Sequence, residues 1–200
     1  MALTVDPARD ALVVVDVQND FCPGGSLGVP DGDAVVPVLN AYAALFQAAG
    51  APVFASRDWH PARTKHFQSG GGVWLPHCVQ GTAGAEFHPG LALPDDATVI
   101  SKGHDPGEDA YSCFQAETDD GMPFAAALGE RGVNRLFVGG LATDYCVKAT
   151  VLDALKEGFE VVVLEDASRA VDLKPGDGER AMAEIVAAGA RRARLEDLTG

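Results

Sequence analysis

One cysteine, one aspartate and one lysine in this chain stand where apolar runs end, and that placement suggests nucleophilic chemistry. Cys146 follows Gly139, Gly140, Leu141 and Ala142 and opens a helix-period segment that Thr143 or Asp144 could cap. Unpaired backbone N–H groups and the positive end of a helix both favour a thiolate. The ordinary alternative is a small core residue packed beside Val147, Val151 and Leu155. Lys102 terminates Thr98, Val99, Ile100 and Ser101, where its ammonium stands at a strand end, or snorkels outward from an edge. Asp16 closes the run Ala11 to Val15 and serves either as a turn cap or as a general base in a desolvated cleft. Taken together, the three supply a thiol, a base for its proton and a cation for the anions that form.

A second group suggests metal chemistry. Asp58 and His60 flank Trp59 at a spacing that, on an extended segment, points both side chains to one side. His66 and His77 follow in the same loop-rich region, so three of the five histidines lie close in sequence to an aspartate. A mixed nitrogen and oxygen donor set suits zinc, iron or manganese better than a cysteine-rich structural zinc site does. Exposed loop histidines are the plain alternative. His88 and His104 carry no ligand pattern, and Cys22, Cys78 and Cys113 lack both a base and a helix start, so packing is their default.

The elements that must position these groups follow from periodicity. Strand-length apolar runs occupy residues 11–17, 52–56, 98–101, 135–138, 160–164 and, more weakly, 192–195. The stronger runs are continuously apolar, as strands buried on both faces of a parallel sheet are. Helix-period segments lie between them at 34–49, 146–157 and 178–188. The last of these has Met182, Ile185 and Val186 on its apolar side and Gly189 as its stop. Alternating strands and helices predict a doubly wound α/β sheet, whose ligands bind beyond the carboxyl ends of the strands. Asp16, Asp58, Lys102 and Cys146 all fall at such ends. The first turn reads DVQNDF where a dinucleotide-binding fold carries GxGxxG, which disfavours a dehydrogenase.

Composition narrows the classes further. The chain has 200 residues, 47% hydrophobic and 22% charged, within the globular range, and one domain over 1–200 is expected. A net charge of −14 argues against nucleic-acid or membrane-surface partners. Pro37, Asn40, Gln47, Gly50 and Pro52 break the longest uncharged stretch into pieces too short to span a bilayer. The beginning of the chain lacks the basic and apolar regions of a secretion signal, and the four cysteines form no CxxC pair, so a cytoplasmic protein with reduced thiols is expected. Oligomeric state stays open, a homo-oligomer included.

Five segments in order resemble the nicotinamidases and pyrazinamidases of the isochorismatase-like cysteine hydrolases: VVVDVQNDFCPGGSLGV, SRDWHP, LPHCVQGTAGAEFHP, KGHDPGEDAYSCF and VGGLATDYCVKATVLDAL. The match spans nearly the whole chain. The resemblance implies a three-layer α/β/α fold of Rossmann-like topology with a six-stranded parallel sheet. It implies a catalytic triad of Asp16, Lys102 and Cys146, and metal ligands at Asp58, His60 and His77. His66 is a candidate further ligand, because some members carry a histidine there and others another group or water. It also implies a cis peptide before Ala142, an oxyanion hole from the N–H groups of Ala142 and Cys146, and aromatic walls at Phe21, Trp74 and Tyr111, which could equally be core.

The implied reaction takes nicotinamide and water to nicotinate and ammonia through a thioester, with pyrazinamide as a second substrate and one divalent ion, zinc ahead of iron or manganese. A related hydrolase acting on another small amide or a ureido compound is the alternative, against which the Asp-Trp-His motif weighs. A metal-water hydrolase needs no Cys146, nor does an isochorismatase cleaving a vinyl ether. A non-catalytic metal-binding module would leave the loaded strand ends without a purpose.

Overall fold

In the computed structural model, which describes residues 3–200, the central strand is β2 (Asp10–Val15), following a two-residue strand β1 (Leu3–Thr4). All of β2 is buried, and its alternate residues serve two different cores. Leu12 and Val14 pack with Leu39, Tyr42 and Phe46 of helix α1 (Val35–Ala49). Ala11, Val13 and Val15 pack on the opposite face with Phe124 and Leu128 of α2 (Phe124–Glu130), Val151 and Ala154 of α3 (Lys148–Lys156), and Ile185 of α4 (Asp177–Ala187). Strand β7 (Glu160–Arg169) divides in the same way, Val162 and Leu164 to one side and Val161 and Val163 to the other. Because both faces are covered by helices, no polar alternation is needed along the strand, which is why the sequence reads as unbroken apolar runs.

The sheet also contains β3 (Val53–Asp58), β4 (Thr98–Lys102), β5 (Glu117–Thr118), β6 (Arg135–Leu141) and β8 (Arg191–Ala193), in the order β5-β4-β3-β2-β6-β7-β8. The six expected parallel strands are all present. The sheet nevertheless has seven strands rather than six, because β5 adds antiparallel to the outer edge of β4, pairing Ile100 with Thr118 and Ser101 with Glu117. Two residues carry no periodicity, so nothing in the sequence announces that strand. A separate parallel pair joins β1 to β9 (Leu198–Thr199).

Other boundaries also differ. Helix α2, seven residues long, lies outside the expected helices. The segment expected as one helix from Cys146 begins as a π turn over Thr143–Val147 before α3 takes over. Among the described residues no side chain caps that turn. The Asp144 carboxylate instead accepts the N–H groups of Val171 and Asp172 at 2.9 and 3.0 Å. On α4, Ile185 is buried but Val186 is 41% exposed, so the apolar stripe is narrower than expected. No described helix is long and apolar enough to cross a membrane.

From β2 the chain steps outward to β3 and β4, then returns to β6 on the other side of β2. The connection after β2 leads to α1 on one face, and that after β6 leads to α3 on the other, so the carboxyl ends of these neighbours open a crevice. Gly140 sits in this seam at φ +132°, where an added Cβ would fall 2.1 Å from the Val15 carbonyl oxygen. Neighbouring backbone cannot yield as a flexible side chain can. Gly140→Ala is therefore expected to cost about 3 kcal/mol, seen as a fall of roughly 6–12 °C in Tm by thermal denaturation.

Candidate active site

Four strand ends deliver the polar groups. Asp16 follows β2 with φ +48°, Asp58 ends β3, Lys102 ends β4, and Cys146 lies in the π turn after β6. Asp16 and Lys102 are fully buried, and Asp58 and Cys146 nearly so. Lys102 Nζ donates to Asp16 Oδ2 at 2.8 Å, lies 3.6 Å from Cys146 Sγ and makes a close contact with Asp58 Oδ1. Ligand atoms of Asp16, Asp58 and Cys146 lie within 4.8 Å of one another. The three residues expected to work together are thus in contact, and Asp58 joins them.

Burial governs the protonation states, with charge deciding between neighbours. Burial pushes the Cys146 thiol well up, and Asp16 and Asp58 add to this against Lys102. The expectation of a lowered thiol pKa is therefore corrected: desolvation outweighs the turn and the ammonium. Burial also raises Asp16, with Lys102 opposing it. For Asp58, burial is outweighed by the Lys102 ammonium and by the neighbouring His60 and His77 rings, which hold its carboxyl well below the usual range. Burial works against the Lys102 ammonium too, but the two carboxylates prevail and hold it well above ordinary lysine. The resting arrangement is a neutral thiol beside Asp16, whose affinity for a proton burial raises.

His60, His66 and His77 present nitrogens within 4.8 Å of one another, and all three are buried. Asp58 Oδ2 lies 3.6 Å from His60 Nε2 and 3.8 Å from His77 Nε2. Each ring spends its Nδ1 elsewhere: His60 on the Gly103 carbonyl at 3.0 Å, His77 on the Leu75 carbonyl at 2.8 Å, and His66 on Asp109 Oδ1 at 2.7 Å. Among the described residues His60 Nε2 is buried without a hydrogen-bond partner. One orphaned inward nitrogen, three outer nitrogens oriented by acceptors and one adjoining carboxylate fit a divalent ion. His66 joins this cluster. His88 Nδ1 accepts the Gly90 N–H and His104 pairs with Glu117, so both stay outside it.

Above these groups lies a cavity of about 280 Å³ bordered by Phe21, Trp74, Tyr111, Ala142 and Cys146. Trp74 Nε1 donates to the Tyr111 hydroxyl at 2.9 Å, and Phe21 lies 5.5 Å from the His77 ring. The expected aromatic walls therefore meet in one pocket. The Leu141–Ala142 peptide is cis. The Ala142 carbonyl accepts from Tyr145 and Val147, the residues on either side of Cys146, both at 3.1 Å.

Several contributors went unassigned in the sequence. Tyr145 lines the pocket with its ring 5.0 Å from Trp74. Ser56 donates to Asp16 Oδ1 at 2.6 Å, and Gln18 spans three backbone groups by accepting from Asp58 N–H and donating to the Asp58 and Ala85 carbonyls, all at 2.8 Å. Gly103, at φ +72°, leaves the room that the His60 ring fills, since a Cβ there would meet His60 Cε1 at 2.4 Å. The polar Gln18 so close to Asp16, and a glycine directly after Lys102, were the available signals.

The isochorismatase domain model matches residues 10–197. This chain belongs to the isochorismatase family. Among its relatives, the nicotinamidase of Escherichia coli (strain K12) is 43% identical, over 94% of this chain and 95% of its own. The nicotinamidase/pyrazinamidase of Mycobacterium tuberculosis is 42% identical over 80% and 87%. The structure of the pyrazinamidase of Pyrococcus horikoshii in complex with zinc superposes with TM-score 0.86 at 47% identity, covering 94% of this chain and 99% of that one. That of L. infantum PnC1 in complex with nicotinate reaches 0.89 at 38%, covering 100% and 99%.

In this isochorismatase-family chain the other thiols are also pushed up, Cys22 and Cys113 each to about 11 by burial first and neighbouring aspartates second. A thiolate is the deprotonated form, so an upward shift delays its appearance to higher pH. Absorbance at 240 nm is expected to show no thiolate step between pH 6 and 9. A step with a midpoint below 8 would contradict the neutral resting thiol.

Proposed function

We propose that this chain is a metal-dependent cysteine amidohydrolase that converts nicotinamide to nicotinate and ammonia, and pyrazinamide to pyrazinoate. The carrying observation is Lys102 Nζ joining Asp16, Asp58 and Cys146 beneath an aromatic cavity that also opens on His66 and His77. The catalytic groups are Asp16, Lys102 and Cys146. The names of the E. coli and M. tuberculosis relatives, and the nicotinate held by the L. infantum protein, support the substrate.

Aromatic walls at Phe21, Trp74 and Tyr111 accept a flat ring and leave its carboxamide over Cys146. Asp16 takes the thiol proton, and Sγ attacks the carbonyl carbon. The N–H groups of Ala142 and Cys146 hold the oxyanion that develops, a donor of this kind being worth about 10² to 10³ in rate. Asp16 returns the proton to the departing amine, which leaves as ammonia, and a thioester remains on Cys146. Asp16 then takes a proton from water as its oxygen adds to the thioester, and the acid departs as the thiol reforms. Lys102 offsets the negative charge carried by Asp16 and the sulfur through both halves. Asp58, His60, His66 and His77 would hold one divalent ion, which when bound supplies a Lewis-acid contact that fixes a ring nitrogen. Zinc is the proposed ion, supported by the histidine-rich donor set and by the zinc in the P. horikoshii protein. Four free, buried cysteines support a reducing cytoplasmic setting.

Ammonia and nicotinate release from nicotinamide tests the reading. Cys146→Ala and Asp16→Asn are each expected to lower kcat at least about 10³-fold, Cys146→Ala with little change in Tm and Asp16→Asn with a lowered Tm because Lys102 loses a buried partner. Equal activity of wild type and Cys146→Ala would return the reaction to a metal-bound water. Dialysis against a chelator is expected to abolish turnover, and added zinc to restore it. A wild type inactive on nicotinamide with zinc, iron or manganese supplied would move the assignment to another small amide or ureido compound.

A further inference from the structure

Of the three histidines that face one another, only His66 has a carboxylate behind it. His60 and His77 rest their Nδ1 atoms on main-chain carbonyls, whereas His66 Nδ1 lies 2.7 Å from Asp109 Oδ1. Asp109 is 52% exposed on its side chain and lines no wall of the substrate cavity, so nothing in the hydrolysis calls for it. Its own position is nonetheless built with care. The Gln115 side chain donates to the Asp109 carbonyl at 3.1 Å and accepts the N–H groups of Tyr111 and Ser112 at 2.9 and 3.1 Å. That pins the segment between Asp109 and Ser112 in one conformation. The loop that carries His66 is tied to the chain just before that segment, with the Lys65 N–H and the Thr64 hydroxyl both donating to the Pro106 carbonyl, at 2.9 and 3.3 Å.

We propose that Asp109 is a positioning residue for the ion: it holds His66 in the tautomer whose Nε2 lone pair faces the cluster, and its negative charge strengthens that nitrogen as a donor. The inference rests on the metal reading above and deepens it. A carboxylate behind an imidazole ligand fixes both ring orientation and tautomer and raises ligand basicity, and loss of such a partner commonly costs 10–100-fold in metal affinity. The main-chain carbonyls behind His60 and His77 supply orientation without charge, so Asp109 is the place where affinity is set by a replaceable side chain. The segment pinned by Gln115 also carries Tyr111, whose hydroxyl receives the Trp74 indole N–H, so Asp109 and one aromatic wall share a short stretch that the Asp109 side chain itself does not hold.

Isothermal titration of the metal-free protein with zinc alone, and separately with manganese alone, measures the effect without turnover. Asp109→Ala, which removes charge and acceptor together, is expected to weaken zinc binding 10–100-fold. Asp109→Asn keeps an acceptor oxygen for the ring N–H and loses only the charge, so it is expected to fall between Ala and wild type. Circular dichroism and Tm of the metal-free variants, expected to match wild type, separate this from a folding defect. At saturating zinc both variants are expected to regain wild-type kcat and KM for nicotinamide, which places the loss in affinity and not in chemistry. Zinc binding by Asp109→Ala equal to wild type would overturn the inference and leave the metal reading intact. Failure of wild type to bind either ion would overturn both.

Discussion

A single ammonium with no exposure to solvent holds the reactive edge of this molecule together. Lys102 Nζ touches two buried acidic side chains and the thiol sulfur, and each of those groups ends or follows a different strand. A buried charge survives only with close partners, because the cost of leaving water exceeds anything that apolar contact returns. The same condition binds the carboxylates. Asp16 and Asp58 stay in place beneath a sulfur because the lysine lies between them, and the lysine keeps its proton because they are there.

Two acidic side chains face that one ammonium, and only Asp58 is held well below the usual carboxylate range. Asp58 also reaches outward: Oδ1 belongs to Lys102, while Oδ2 looks toward His60 and His77. The lysine-and-thiol side and the histidine cluster thus share one side chain. Gln18 bonds to both the N–H and the carbonyl of Asp58, which fixes the residue on which the two halves meet. A divalent ion next to the Asp58 carboxylate meets a favourable field as well as a set of donors.

The sheet makes such density possible. Parallel strands end together, so residues distant in the chain become neighbours at the carboxyl edge, and the switch of direction on either side of β2 opens space above them. Covering helices on both faces keep water from the strands, and the same exclusion raises the cost, and so the selectivity, of every polar group at their ends.

Much of this was legible in order of residues alone. Runs such as Leu12 to Val15 and Val161 to Leu164 identify strands buried on both faces, because a continuous apolar segment of that length has no solvated side to offer. Asp16, Asp58, Lys102 and Cys146 stood out because each interrupts or follows such a run, where a polar side chain needs a reason. What stayed hidden was short or non-local. Strand β5 has two residues and no period, and helix α2 has seven, with Ala125 and Ala126 masking the buried stripe of Phe124, Ala127 and Leu128. Ser56, Gln18, Tyr145 and Asp109 acquire roles only through partners far away in sequence. The direction of the Cys146 shift depended on how deeply the sulfur is buried, a property of the surrounding layers and not of the turn that carries it. The sequence by itself determined the layered architecture and which polar side chains stand at the strand ends, because periodicity and side-chain chemistry are local. Tertiary structure alone decided which oxygen faces the lysine, which nitrogens face one another and which form of each group burial favours, because those depend on distance and solvent exclusion.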